Sequence, residues 1–304
     1  MSTGKMHADE VATDVTLVRR LLAAQFPQWA DLTIDPVLSS GTDNAMYRLG
    51  EEMVVRLPRI GWAVGQVEKE HRWLPRLAPH LPLTIPVPLA LGEPGAGYPW
   101  HWAVNPWLDG ETATAERIAD PRQLATELAR FITALRRIDP TDEPPSSSRG
   151  VPLATRDAST RAAIAALDDL GMIATDAVAA AWDADSDAAE WHGPPVWTHG
   201  DLQTGNLLAV DGRLSSVIDF GCLGVGDPAC ELAVAWNSLN TDTRTVFRAA
   251  LGEDIDDATW TRGRAWALSI ALIALPYYYI TNPVLAGISR YAIAEVLADH
   301  QRRV

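Results

Sequence analysis

The stretch from Val196 to Gly221 constrains the fold of this 304-residue chain more than any other. It opens with the apolar run Val196-Trp197-Thr198 and turns through His199-Gly200-Asp201. Asn206 follows five positions after that aspartate, and the stretch closes on Asp219-Phe220-Gly221. Between Asn206 and Asp219 lie two short apolar segments, Leu207–Val210 and Leu214–Ile218, separated by Asp211-Gly212. An Asp-Gly pair between strand-like runs is the signature of a two-residue β-hairpin turn, because both positions must adopt positive φ. The pattern therefore predicts a hairpin with Asn206 at the start of one strand and Asp219 at the end of the next.

The surroundings of this hairpin change character along the chain. Residues 14–25 carry helical periodicity through Val15, Val18, Leu21 and Leu22. Three strand-like segments follow, Thr33–Ser40, Asn44–Leu49 and Met53–Leu57, with turn-forming residues between them. Gln66–Leu77 reads as a helix despite Pro75, and Val87–Leu91 and Tyr98–Trp107 read as two more strands. Beyond Leu108-Asp109-Gly110 the pattern is alanine-rich and helical, over 112–138, 156–168, 173–184, 228–251 and from 257 to the end. Asp139–Gly150, rich in Pro and Ser, reads as a surface loop. The expectation is two lobes: residues 1–108, β-rich with one main helix, and residues 109–304, mostly α-helical.

A formal net charge of -14 argues against nucleic acid as a partner, since phosphate backbones need basic surfaces. It is compatible with a cationic ligand. Cys222 and Cys230, the two cysteines, have neither a metal-ligand nor a redox spacing and are expected as free thiols. The start of the chain carries charges without an apolar core, unlike a secretory leader. Ala267–Ile280 is too short to span a bilayer and is expected as a buried helix ending near Pro276. These features together predict a cytoplasmic protein with no membrane partner.

The residue types around the hairpin suit phosphoryl transfer from a nucleotide. That reaction needs a carboxylate to orient the attacking hydroxyl, and oxygen ligands for the Mg²⁺ ions that neutralise the phosphates. Asp201 takes the first role, and Asn206 and Asp219 the second. His199 is read as structural. A cation on the phosphates is also required, and it normally comes from the third strand with a helix glutamate as its partner. Neither lysine, Lys5 or Lys69, lies there, but Arg56 in Val54-Val55-Arg56-Leu57 does. Glu70 is its expected partner, with Glu68 as the alternative. Ser40-Gly41-Thr42-Asp43-Asn44, between two strands and one strand before Arg56, can bend over a triphosphate and offer backbone N–H groups and hydroxyls.

Taken together these residues resemble the aminoglycoside phosphotransferase family. The matching motifs are Trp197-Thr198-His199-Gly200-Asp201-Leu202, Asn206-Leu207-Leu208, Val217-Ile218-Asp219-Phe220-Gly221 and Gly224-Val225-Gly226-Asp227-Pro228. Weaker matches are Val54–Pro58, Glu70-His71-Arg72-Trp73-Leu74 and Trp107-Leu108-Asp109-Gly110, so the resemblance spans about residues 35–240. It implies an α+β, bilobal, protein-kinase-like fold with a small β-rich N-lobe and a larger, mostly α-helical C-lobe. It further implies ATP, or alternatively GTP, bound between the lobes with Mg²⁺. Asp201 would be catalytic, Asn206 and Asp219 the metal ligands, and Ser40, Gly41, Thr42, Arg56 and Glu70 the phosphate side. Backbone at Val104, Asn105 and Trp107 would meet the base, and Trp100, Trp102 and Trp107 are expected to pack the lobe interface near it. Asp227 would be structural. Thr204 stands where the family commonly has proline. Glu231 stands where it often has aspartate, a change expected to weaken a helix contact.

The resemblance implies an enzyme that phosphorylates a hydroxyl of a small, cationic molecule, an aminoglycoside or related antibiotic. Choline, homoserine and methylthioribose kinases share the same core motifs and form the alternative. A nucleotide-binding pseudokinase would lack Asp201, Asn206 or Asp219, and all three are present. Gly200 in the arginine position, and the lack of an Ala-Pro-Glu segment, disfavour a protein kinase. Candidate acceptor contacts are the acidic residues Asp183, Asp185, Asp187, Glu253, Asp254, Asp256 and Asp257, and the aromatics Trp266 and Tyr277-Tyr278-Tyr279.

Overall fold

The computed structural model describes residues 10–37, 41, 43–140 and 147–302. The chain divides into two compact units. The first holds the residues up to Pro79 with Thr84–Gly110 and Ser216–Gly221; the second holds His80–Leu83, Glu111–Ser215 and the residues from Cys222 onward. The boundary expected after Leu108 falls two residues before the one found at Gly110, and the segment carrying Asp219 packs with the first unit.

The first unit begins with helix α1 (Val15–Gln25), started by Asp14, whose carboxylate accepts the Leu17 N–H at 2.6 Å. Strands β1 (Ile34–Pro36), β2 (Asn44–Leu49) and β3 (Met53–Pro58) form a meander, followed by helix α2 (Gln66–Leu77). Strands β4 (Ala90–Gly92) and β5 (Trp102–Pro106) complete an antiparallel sheet of order β1-β2-β3-β5-β4. Leu17, Val18, Leu21 and Leu22 put one face of α1 into a core with Tyr47, Leu49, Val55, Leu57 and Val104. Trp102 lies in that core edge-on to Phe26 at 5.4 Å, and Trp100 packs edge-on to Tyr98, so these two rings serve the sheet core. The last two strands are shorter than their apolar runs suggest. Pro86 and Pro88 have no N–H to give a ladder, so pairing starts at Ala90. Pro75 is tolerated in the last turn of α2, where it forgoes a single helical bond.

In the second unit, β6 (Glu111–Thr112) pairs antiparallel with β8 (Leu207–Val210). Helices α3 (Pro121–Arg136), α4 (Asp157–Asp169) and α5 (Thr175–Ser186) follow β6. The helix expected from 112 starts only at Pro121, because Asp120 accepts the N–H groups of Arg122 and Gln123 and proline occupies the first helical position. Strand β7 (Val196–Thr198) leads into the motif-rich stretch, which continues through β8 to β9 (Arg213–Val217) and β10 (Gly224–Gly226). Asp211 at φ 50° and Gly212 at φ 75° make the β8–β9 turn, as the hairpin signature requires. β10 returns antiparallel to β7, with Gly224 opposite Thr198.

Pro228–Ala233 is a 3-10 turn rather than the start of a long helix, followed by α6 (Val234–Asn237) and α7 (Thr241–Leu251). Helix α8 (Asp257–Tyr278) is buried along most of its length and runs two residues past Pro276. It is separated from α9 (Pro283–Gln301) by a break that Asn282 caps and Pro283 restarts. Among the described residues no helix is long and apolar enough to cross a membrane. Cys222 and Cys230 are free thiols.

Candidate active site

In the first unit, Arg56 is the centre of a buried charge cluster. It lies on β3 and is 4 % exposed. Its Nη1 donates to Glu70 Oε2 on α2 at 2.5 Å, and its Nη2 to Asp219 Oδ1 at 3.0 Å. With its amide oxygen turned toward the guanidinium, Asn44 accepts from Nη2 and Nε at 3.0 and 3.1 Å. The β2–β3 register puts Met46 opposite Arg56, so Asn44 is its diagonal neighbour on the same sheet face. Burial works against the guanidinium's charge, but Glu70 and Asp219 together raise its pKa above the ordinary value. Glu68, the alternative partner, instead bonds His101 Nδ1 at 2.7 Å.

Asp219 sits at φ 63°, in the left-handed region that costs a non-glycine residue energy. Lys69, one position before Glu70, donates from Nζ to the Gly221 carbonyl at 2.6 Å. Helix α2 thus reaches this turn twice, through Glu70 and Arg56 to Asp219 and through Lys69 to Gly221.

Of the residues named for the nucleotide's base, Val104 gives its carbonyl to the Leu89 N–H and Trp107 gives its N–H to the Glu52 carbonyl. The Trp107 ring carries the Arg48 guanidinium 3.9 Å above it. Asn105 keeps a buried Oδ1 that has no hydrogen-bond partner among the described residues. Gly41 is described, whereas Ser40 and Thr42 lie outside the described residues.

In the second unit, residues 199–206 form one hydrogen-bonded loop. Asn206 Nδ2 donates to the Asp201 carbonyl at 2.8 Å and to Asp201 Oδ2 at 3.1 Å. Gln203 Nε2 donates to the same Oδ2 at 3.2 Å, and the Asp201 N–H donates to His199 Nδ1 at 3.2 Å. The imidazole is fully buried and serves the loop's shape. Asp201 itself keeps a 29 % exposed side chain, so its carboxylate is aimed yet accessible. Gly200 is required here for two reasons. Its φ is 82°, and a Cβ would fall 2.8 Å from both the Cys222 carbonyl and the Arg149 side chain.

Glu231 proves to be part of this loop rather than a weakened helix contact. Its Oε1 accepts the Gly200 N–H at 2.6 Å, and the His199 N–H also bonds the carboxylate. The extra methylene over aspartate gives it that reach. Oε2 is buried with no partner among the described residues. Burial raises the Glu231 pKa from 4.5 to about 7, against the two N–H bonds and with the help of Asp201's charge. A raised carboxyl pKa means that the folded state holds its proton more tightly than the unfolded chain. The associated stability is full below pH ~4.5 and is lost as pH rises to ~7, at most about 3 kcal/mol. Glu231→Gln, which cannot ionise, is expected to abolish the part of the fall in melting temperature between pH 5 and 8 that Glu231 causes. An unchanged slope in that variant would show that Glu231 does not titrate in this window.

Asp227, in contrast, is a structural anchor. It caps the 228–233 turn through the Ala229 N–H and pairs with Arg262, at 2.7 Å from Nε to Oδ2.

The acidic residues expected to meet a cationic acceptor are largely taken by arginines. Asp185 pairs with Arg264, Asp183 with Arg161, Asp254 with Arg136, and Asp257 with Arg248, while Asp256 caps α8. Glu253 and Asp254 line a cavity of about 580 Å³ with Arg130 and Arg137 between α3 and α7, a lining that includes no residue of the 199–206 loop. Trp266 is fully buried, with Arg156 over its ring, and presents no stacking face. Tyr277 is half exposed.

A family model described as the phosphotransferase enzyme family matches residues 36–266, more than two thirds of the chain. The chain belongs to that family. Among curated proteins, an aminoglycoside 3'-phosphotransferase from Escherichia coli is 49% identical to this phosphotransferase over 45 residues, 15% of this chain and 17% of the relative's length. Among solved structures, the GDP complex of aminoglycoside 2'-phosphotransferase-IIIa aligns with a TM-score of 0.71 at 16% identity, over 95% of this chain and 100% of that one. A macrolide 2'-phosphotransferase from Brachybacterium faecium aligns at 0.59 with 22% identity, over 93% and 97%. At these identities the likeness to the solved structures establishes the kinase-like fold, with its antiparallel N-terminal sheet and mostly helical C-terminal part.

Sequence reasoning missed Lys69, Gln203, Arg149, the contact of Asn44 with Arg56 and the true contact of Glu231. Asn44 was within reach, since the short loop after Leu49 fixes the hairpin register that makes it Arg56's neighbour. Lys69 and Glu231 act across long sequence separations, for which a single sequence carries no signal.

Proposed function

We propose that this phosphotransferase moves the γ-phosphoryl group of ATP, with Mg²⁺, to a hydroxyl of an aminoglycoside or closely related antibiotic. The observation that carries this reading is the Asn206 side chain, whose nitrogen bonds both the backbone and the carboxylate of Asp201. That arrangement aims Asp201 at an incoming hydroxyl and leaves the Asn206 amide oxygen for a hard cation. Asp219, 44 % exposed with one oxygen on Arg56, offers a second such ligand. One carboxylate and one amide oxygen suit Mg²⁺, which keeps waters and takes phosphate oxygens for its remaining positions. The described residues hold no cluster of three or more His, Cys, Asp or Glu that could bind a metal without a nucleotide.

In this reading Arg56, fixed by Glu70 and Asn44, neutralises phosphate oxygens, and Mg²⁺ held by Asn206 and Asp219 would supply further charge neutralisation there. Asp201 accepts the hydroxyl's proton in a hydrogen bond and orients its oxygen on the γ-phosphorus. The P–O bond to the β-phosphate breaks, and its electron pair leaves on that phosphate. Positioning and charge neutralisation supply most of the rate. Relatives solved with GDP and with ADP support a purine nucleotide, and ATP is assigned with GTP as the alternative. Dependence on ATP fits a cytoplasmic enzyme.

The acceptor assignment rests on the E. coli aminoglycoside relative and on structural neighbours solved with kanamycin, gentamicin and streptomycin. The arginines already occupying Asp183, Asp185, Asp254 and Asp257 favour a second reading, an acceptor with fewer amines, such as a macrolide. The test is an ATP-consumption screen with Mg²⁺ over aminoglycosides, macrolides and amino alcohols, with Asp201→Asn as control. A rate that depends on one acceptor and is lost in the control supports the proposal and names the class. A rate with amino alcohols alone replaces the antibiotic reading with a metabolic one.

A further inference from the structure

The loop that carries Arg149 is built against the catalytic loop. Ser147 Oγ donates to the Cys222 carbonyl at 2.8 Å and accepts the Arg149 N–H at 3.1 Å. The Gly150 carbonyl accepts the Asp227 N–H at 2.8 Å, and a Cβ on Gly226 would fall 2.3 Å from that carbonyl. The side chain of Arg149 covers Gly200 and brings Nη2 to 4.0 Å from Asp201 Oδ1. That separation is too long for a hydrogen bond, so the guanidinium stands beside the catalytic carboxylate without being locked to it. Its Nε is buried and has no hydrogen-bond partner among the described residues.

A second guanidinium follows seven residues later along the chain, at Arg156. Arg156 donates from Nε to Ser269 Oγ at 2.8 Å and lies 4.7 Å over the Trp266 ring, and no carboxylate pairs with it among the described residues. Burial, and then the charge of Arg149, lower its pKa to about 10. Of the two guanidiniums, Arg149 is the one beside the accessible Asp201 carboxylate. A guanidinium that is not locked to its carboxylate neighbour keeps donors available for an anion, and its planar fork suits a phosphate group.

We propose that Arg149 is a catalytic residue that holds the phosphoryl group as it arrives on the acceptor hydroxyl. This rests on the phosphotransfer reading given above for Asp201. When the acceptor oxygen bonds the phosphorus, its proton passes to Asp201, and the anhydride bond to the β-phosphate breaks with its electron pair leaving on that phosphate. The product phosphate monoester carries roughly -1.5 to -2 charge next to Asp201, which is again a carboxylate once it has released that proton. Without a cation there, product and carboxylate repel each other, and the same repulsion raises the barrier on the way. Arg149 is within reach of both groups and offsets that charge.

The experiment has a binding arm and a transfer arm. With saturating ADP and fixed ionic strength, inorganic phosphate raises the melting temperature of the wild type and leaves Arg149→Ala unmoved, while ADP affinity agrees within about twofold. With the panel acceptor that the wild type turns over fastest, Arg149→Ala lowers kcat by roughly 10²–10³-fold, with acceptor KM changed only a few-fold. Arg149→Lys, which keeps the charge but not the fork, recovers part of the rate. A phosphate response that survives Arg149→Ala overturns the assignment. So does a loss of rate that disappears when Asp201 is already asparagine, because Arg149 would then only hold Asp201 in place. A wild type that phosphorylates no acceptor sinks the phosphotransfer reading instead, and the phosphate titration still decides the anion site.

Discussion

Asp201→Asn is expected to lower turnover by roughly 10³-fold while leaving nucleotide affinity almost unchanged. Asparagine has the shape of aspartate and keeps one oxygen, so Asn206 Nδ2 still finds an acceptor and the 199–206 loop keeps its form. Only the carboxylate's negative charge and its capacity to accept a second hydrogen bond are lost. Both matter when the acceptor hydroxyl becomes a nucleophile and sheds its proton, and neither is needed to bind a nucleotide. Steady-state rates on the acceptor found in the screen, set beside ADP titration of the same variant, separate the two effects. Full activity in Asp201→Asn would remove Asp201 from the mechanism.

Arg56→Ala is expected to act on stability and on nucleotide binding at once. Glu70 is completely buried and Arg56 is its ion-pair partner, so the alanine strands a carboxylate in the interior. Breaking one side of a buried pair in this way costs about 3–5 kcal/mol. Asp219 loses its bond to Nη2 in the same substitution, and its left-handed backbone loses a restraint. The double variant Arg56→Met with Glu70→Met separates the two consequences, because an apolar pair of similar volume is often neutral for stability. Urea unfolding is expected to recover most of the stability in the double variant, while ADP affinity stays as weak as in Arg56→Ala. If the double variant binds ADP as the wild type does, Arg56 serves only the fold. Arg56→Lys keeps the charge but cannot reach Glu70, Asp219 and Asn44 together, and is expected to fall between the two.

Motif residues that lie close together along the chain are legible in the amino-acid order alone. Asp201 and Asn206 share one loop whose geometry is set within a few residues, and Gly200 and Gly212 announce the backbone angles that their positions require. The β8–β9 hairpin follows from Asp211-Gly212 between two apolar runs, and α1 from its periodic leucines and valines. The β-rich first part and helical second part are equally plain, because hydrophobic period and turn residues are local signals. Element ends are less plain where proline intervenes. Pro86 and Pro88 shorten a strand, and Asp120-Pro121 delays a helix.

What only the tertiary structure decided are contacts between residues far apart along the chain. Arg56 reaching Asp219, Lys69 reaching Gly221, Glu231 reaching Gly200 and Arg149 standing beside Asp201 each join segments that no spacing rule relates. The same holds for the acidic residues. Composition records fourteen more negative than positive charges, but only packing reveals that Asp185 is spent on Arg264 and Asp227 on Arg262. A sequence states which charges exist and how the backbone is disposed locally. Which charge meets which is fixed by how the helices and sheets pack, since Coulomb energy depends on distance in space and on burial rather than on position in the chain.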